Sequence, residues 1–157
     1  MFKLSRLTDY AVVVLAALEQ SRPDHVAVGG LAVATNLPEP TISKVLKLLN
    51  KAGIVQSVRG ASGGYALKLK SGDISVLDIV CAIEGPFSVV ACVEDSQDSC
   101  ALQGACLMYG RWGLVNSALK DALGSVMLAD MLQQQAQGLS PHRHAHAEAS
   151  SKEERVQ

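Results

Sequence analysis

Two prolines within three residues cut the first half of this chain. In Asn36-Leu37-Pro38-Glu39-Pro40 neither proline can occupy a helix interior, because each lacks an amide hydrogen and its ring collides with the preceding turn. The helical periodicity on either side must belong to two helices joined by a tight connection. Before the break, Val28–Thr35 reads as a short helix with Leu31 and Ala34 inward. After it, residues 40–52 carry Ile42, Val45, Leu46, Leu48, Leu49 and Ala52 on one helical face. The opposite face carries Thr41, Ser43, Lys44, Lys47 and Lys51, and Gly53 supplies the stop. An earlier helix is predicted over 5–20, capped by Ser5 or Thr8, with Leu4, Leu7, Ala11, Val14, Leu15 and Leu18 at helical spacing. Arg22-Pro23-Asp24 turns the chain between them.

Two short strand-like runs follow at 54–58 and 65–69, separated by Arg59-Gly60-Ala61-Ser62-Gly63-Gly64. This reads as a hairpin with a glycine-rich tip. Helix, short helix, turn, helix and hairpin is the order of a winged helix-turn-helix. The fold expected is mostly α with a small β-hairpin wing, followed by a long C-terminal helix. A major groove about 12 Å wide admits one helix with an apolar inner face and a polar, cationic outer face. Thr41 and Ser43 suit base edges or phosphates, and Lys44, Lys47 and Lys51 suit phosphates or guanine. Arg59 beside the flexible tip can enter a minor groove, and Ser62 in the tip joins the same DNA-facing set. A plain helical hairpin with a solvated lysine face is the bland alternative. Against it stand the adjacent glycine-rich hairpin and the charge of this half. Residues 1–70 hold nine Lys/Arg and four acids, a net of +5, whereas 71–157 hold five and eleven, a net of −6. A phosphate-cradling loop at the tip lacks the GxxxxGK[ST] spacing and a following helix.

No apolar run nears the roughly 18 residues of a membrane span; the longest, 11–18, has eight. The opening MFKLSRLTDY has no apolar stretch before a small-residue cleavage site, so no signal peptide is expected and the placement expected is cytoplasmic. Four cysteines in such a chain point to metal or redox use rather than disulfides. Three of them, Cys92, Cys100 and Cys106, have seven and five residues between them in a stretch without periodicity that also holds Glu94, Asp95 and Asp98. Thiolates select zinc, copper(I) or iron–sulfur clusters, and the CxxC pairs of zinc fingers are absent. Cys81, inside Ile79-Val80-Cys81-Ala82-Ile83, reads as a buried small hydrophobe.

A helix over 76–83 precedes that stretch and ends at Gly85-Pro86. A long helix is predicted over 107–132. Its apolar stripe runs through Leu107, Leu114, Val115, Leu119, Leu123 and Val126, and is wider than one small domain can cover, which implies burial between two subunits. The organisation expected is 1–75 for DNA binding, 76–106 for a linking helix and cysteine loop, 107–132 for dimerisation and 133–157 for a disordered tail. His142, His144 and His146 lie in that tail. Within 1–132 the one histidine is His25, and no nucleophile–base pair stands out, so an enzyme is not expected.

LSRLTDYA at 4–11, PTISKVLKLLNKAGIVQSVRGASGGYAL at 40–67, IEGP at 83–86, the three cysteines and RWGLVNSAL at 111–119 together resemble the iron–sulfur-sensing winged-helix regulators that include IscR, NsrR and RirA. The nearest branch regulates the SUF iron–sulfur assembly system of proteobacteria. The resemblance spans about residues 1–132. It implies a homodimer joined through the C-terminal helices, a 2Fe-2S or 4Fe-4S cluster near that interface, an inverted-repeat operator in double-stranded DNA, and control of cluster-assembly genes. By position Arg59 corresponds to the wing arginine, and Thr41, Ser43 and Lys44 to recognition-helix contacts. In the NsrR-like branch an aspartate in the partner's first helix completes the cluster, and Asp9 matches it; the plain reading of Asp9 is a first-turn helix residue. IscR-type members have five residues between the first two cysteines and a histidine where Tyr109 stands here. Pro38, Pro40 and Ser43 also depart from the IscR recognition helix. A zinc- or thiol-redox-responsive winged-helix factor is the closest rival.

Overall fold

The computed structural model describes residues 3–60, 63–91, 93 and 106–136. Six helices are present among them: α1 (Arg6–Gln20), α2 (Val28–Thr35), α3 (Glu39–Lys51), α4 (Val76–Glu84), α5 (Gly113–Gly124) and α6 (Leu128–Ala136). Strands β1 (Val55–Val58) and β2 (Gly64–Leu67) pair antiparallel, with Val55 opposite Leu67 and Val58 opposite Gly64. A short 3-10 turn, Ser71–Asp73, leads from β2 to α4.

Each N-terminal element forms for a local reason. Ser5 is the N-cap of α1, its side chain accepting from the Thr8 amide at 3.3 Å. α2 ends on Asn36 in the left-handed region (φ 55°), a conformation asparagine tolerates better than most residues. Pro38 caps α3 and Pro40 occupies its first turn, where the missing amide hydrogen has no helical partner to lose. The expected helix thus starts one residue early. Leu31 of α2 is buried, but Ala34, expected inward, is exposed. α2 is apolar on all sides, so periodicity there cannot tell one face from another.

One aliphatic core joins Ala11, Val14, Leu15 and Leu18 of α1 to Leu31, to Ile42, Val45, Leu46 and Leu49 of α3, and to Ile79 of α4. The same cluster includes Leu128 of α6, which is fully buried. The single helix predicted over 107–132 is therefore not what forms. Residues 106–112 are turns, with Gly110 at φ 73°, and residues 125–127 interrupt the rest. There the chain leaves helical form to pair with the lead-in to α4: the Val76 amide donates to the Val126 carbonyl (2.9 Å) and the Leu128 amide to the Ile74 carbonyl (2.8 Å). Asp130 accepts from the Met127 amide at 2.9 Å and starts α6. A contact between positions fifty residues apart overrides a helical pattern that runs on through both segments. The C-terminal segment accordingly seats its end in the core of its own subunit. Residues 133–136, assigned above to the tail, instead form the end of α6, and the rest of the proposed tail, from 137 onward, lies outside the described residues.

α4 is fastened at both ends. Ser75 and Asp78 form a capping box at its start. At its end Glu84 accepts from the Ser5 amide (3.0 Å) and from the hydroxyl of buried Thr8. Partial burial pushes the Glu84 carboxyl up, but hydrogen bonds from Thr8 and Ser5 outweigh it and hold the group below its ordinary value. A carboxyl depressed in the folded state stabilises the fold above its unfolded pKa, and that contribution fades as pH falls through the folded one.

Two outcomes follow. Leu128→Ala should lower unfolding stability by about 2–5 kcal/mol, as for other buried leucine truncations, measured by denaturant titration. The melting-temperature gap between wild type and Glu84→Gln should narrow as pH drops through the carboxylate range, because the Ser5 and Thr8 donors favour the charged carboxylate over the neutral group.

Candidate nucleic-acid interface

Helix α3 divides cleanly. Ile42, Val45, Leu46 and Leu49 have no exposure, while Ser43, Lys44, Lys47, Asn50 and Lys51 are exposed and Thr41 is half-buried. At 100° per residue, positions 43, 44, 47 and 51 fall in one outward stripe. The buried face fixes the helix against α1, and the outward stripe carries three cations and the Ser43 hydroxyl, with half-buried Thr41 at its flank. Among the described residues, Lys44, Lys47, Lys51 and Arg59 make no ion pair, so their charge is available to a polyanion. Glu39, also exposed, opens the helix.

The wing stands beside this helix. Arg59 is exposed just beyond β1, and Gly60 follows at φ 127°, where a side chain would be strained. Ser62, assigned above to the DNA-facing set, lies outside the described residues. The base of the wing is locked to the chain that enters α2: Val26 and Tyr65 exchange amide-to-carbonyl bonds at 2.9 Å in both directions. Gly64 makes this approach possible. A Cβ there would stand 2.5 Å from the Val26 carbonyl oxygen. The wing and the start of α2 are thereby held as one body.

The other predicted residues that are described lie on α1, on α4 and in the chain leading into α5. Asp9 is exposed on the first turn of α1, next to the Thr8–Glu84 clamp. Cys106 is a free, half-buried thiol at the head of the turns before α5. Cys92 and Cys100 lie outside the described residues, and among the described ones no group of three or more metal-ligating side chains occurs. Cys81 is half-buried rather than buried. It lines an open cleft with Ile54, Leu69, Asp73 and Asp78, because α4 turns that edge toward the exit of the wing instead of the core. Sequence reasoning missed Glu84 and Asn116, a buried residue of α5 whose amide oxygen accepts from the Val89 amide at 3.1 Å. An acid on the last turn of a helix, ahead of Gly-Pro, was the available signal for the first.

Residues 4–134 match the Rrf2 family of iron-dependent transcriptional regulators. The chain belongs to the Rrf2 family. It is 32% identical over 123 residues to protein rrf2 of Nitratidesulfovibrio vulgaris, covering 74% of this chain and 81% of that one. Its fold is similar to that of CymR, the global cysteine regulator of Bacillus subtilis (TM-score 0.64, 28% identity, 85% of this chain and 98% of that one). It is also similar to IscR of T. potens (TM-score 0.62, 31% identity, 89% and 94%). Like its Rrf2 relatives the chain is a DNA-binding transcriptional regulator with a winged helix, and not an enzyme. Among the described residues no helix is long and apolar enough to cross a membrane.

DNA binding should depend on salt through the lysines. Lys44→Ala and Lys47→Ala should each lower the slope of log affinity against log salt by about one. Gly64→Ala should weaken operator binding by about tenfold, roughly 1.4 kcal/mol. Gly72→Ala, where a Cβ meets nothing within 4 Å, should leave binding unchanged. Fluorescence anisotropy across a salt series reads all four variants.

Proposed function

We propose that this Rrf2-family chain is a cytoplasmic, homodimeric regulator of SUF-type iron–sulfur assembly genes that senses iron or oxidative stress through a cluster held by Cys92, Cys100 and Cys106. The observation that carries the reading is Cys106. It is a free, solvent-reachable thiol at the head of the turns that enter α5, and it ends the closely spaced set of three. The likeness to IscR of T. potens supports it. Three soft thiolates suit an iron–sulfur cluster better than a hard cation, so the donor chemistry fits. Such a cluster supplies a centre that is lost when iron is short or oxidants are present.

The chain's own residues supply the rest. Asp9, exposed on α1, offers a carboxylate oxygen as the fourth ligand to the partner subunit's cysteine loop. The Ser5–Thr8–Glu84 clamp fixes the turn that carries it. Leu107 and Leu114 are 92% and 83% exposed, and Met108, Trp112 and Val115 are exposed beside them. A patch of that kind on a small protein marks an interface, and the same segment of a second copy, the turns before α5 and its first turn, covers it. A two-fold dimer then presents two α3 helices to the half-sites of an inverted repeat. Arg59 and Ser62 address the groove beside each α3, while Thr41, Ser43, Lys44 and Lys47 address the bases and backbone.

Protein purified without oxygen should contain iron and sulfide and absorb visible light. Cys92→Ala, Cys100→Ala and Cys106→Ala should each abolish that absorbance, Cys81→Ala should keep it, and Asp9→Ala should leave a folded dimer with a shorter-lived chromophore. A colourless protein holding zinc, or no metal, would overturn the cluster and favour the zinc- or thiol-responsive reading, which the likeness to CymR supports.

A further inference from the structure

The end of α1 and the chain that leads from it to α2 grip the wing at separate points. One grip is the Val26–Tyr65 backbone pair near the start of β2. The other is made by side chains. Arg22 Nη2 donates to the carbonyl of Leu69, two residues beyond β2, at 2.6 Å. Glu19, on the last turn of α1, accepts from the Ser71 hydroxyl at 2.9 Å through Oε1. Its second oxygen is buried, takes no hydrogen bond among the described residues, and has Arg22 Nε 3.3 Å away. The root of this strap continues α1 in rigid form. The Arg22 amide donates to the Glu19 carbonyl (3.2 Å), the Asp24 amide to the Ser21 carbonyl (2.9 Å) and the Ser21 hydroxyl to the Ala17 carbonyl (3.0 Å).

Two grips do what one cannot. A ribbon held at Tyr65 alone can turn about that point, because two short strands carry little stability of their own. Tyr65 and Leu69 stand four positions apart in the sequence, roughly 13 Å of extended chain. Holding both ends of that length fixes the angle of the ribbon as well as its position. Arg59 lies on the far side of Tyr65, just past Val58, which pairs with Gly64. A turn that frees Leu69 therefore swings Arg59. The second grip also demands a particular side chain. A guanidinium presents several nitrogens in one fixed plane, and here one faces a carboxylate and another a carbonyl. The buried, unbonded oxygen of Glu19 keeps that cation in place, because a carboxylate oxygen away from water is costly without an opposite charge.

We infer, resting on the reading of Arg59 as a groove contact, that Glu19 and Arg22 are positioning residues for the wing: through Ser71 and Leu69 they hold the angle at which Arg59 meets DNA. Neither touches DNA itself. A direct phosphate contact by Arg22 is the rival role, and it predicts the opposite sign at Glu19, because deleting an acid beside such a contact tightens binding.

The test uses full-length protein and a duplex selected by the wild type from a random library, with affinity read by fluorescence anisotropy. Glu19→Gln removes a negative charge from a DNA-binding protein, yet should weaken binding by about tenfold, the loss of one charge-assisted grip. Arg22→Gln should do the same. Arg22→Lys keeps the charge but cannot serve both acceptors, and should not rescue. In an Arg59→Ala background each of these changes should cost less than about twofold more, as for residues that act through Arg59. Thermal melts establish that each variant is folded at the assay temperature. Should Glu19→Gln fail to fold, Ser71→Ala takes its place. It should weaken binding by about threefold, and only with Arg59 present, while Ser71→Thr, which keeps the hydroxyl, should bind as wild type. Unchanged or tighter binding in Glu19→Gln, wild-type affinity in Arg22→Lys, or losses that add to that of Arg59→Ala would overturn the inference. An Arg59→Ala protein that binds as wild type refutes the groove contact and the positioning role together. A loss in Arg59→Ala with none in Glu19→Gln refutes the positioning role alone.

Discussion

The apolar contact between α1 and α3 is the constraint on which the candidate DNA-reading surface depends. Ala11, Val14, Leu15 and Leu18 meet Ile42, Val45, Leu46 and Leu49 with essentially no exposure on either side. A helix buried along one stripe has its rotation about its own axis fixed, so the direction of every outward side chain is set by the inward ones. Lys44 and Lys47 point away from the body because Val45 and Leu46 cannot. Turning α3 by one residue, about 100°, would bring a lysine into an aliphatic core, at a cost no surface contact could offset.

The wing obeys a second constraint of a different kind. Its two strands are short, and a two-stranded hairpin alone is marginal in water. The Val26–Tyr65 pair adds a third backbone partner, and Gly64 lets it come close. Recognition helix and wing are therefore placed by separate means, one by aliphatic packing and the other by backbone bonding at a site that excludes a side chain.

Those two means explain what could be read from residues alone. The α1 and α3 faces were legible because period and burial coincide, and the double proline left no freedom over where the connection fell. The hairpin was legible from its glycines. Ala34 and Cys81 were misplaced because their helices are apolar on more than one side, and composition then carries no direction. The break at 125–127 was invisible for a stronger reason: nothing local forbids helix there, and only the return to Ile74 and Val76 decides it. The Glu84 clamp and the Asn116 bond share that character. They join residues seventy-six and twenty-seven positions apart, and a single hydrogen bond leaves no periodic trace. Of the proposed metal ligands, the thiols rest on a spaced set in the sequence and Asp9 on resemblance alone, since a lone first-turn acid looks like any helix start.

Leu128 has one more consequence. Because α6 inserts into the core that α1 and α3 build, the chain has no separable reading head. Whatever binds the region between α4 and α6, be it metal, small molecule or second subunit, adds its binding free energy to the stability of the entire fold by mass action. Occupancy at the far end should then register as a shift in the midpoint of unfolding for the DNA-facing helices as well. In a cell, loss of such a ligand would lower the lifetime of the regulator itself, so the amount of protein would follow the occupancy of that region.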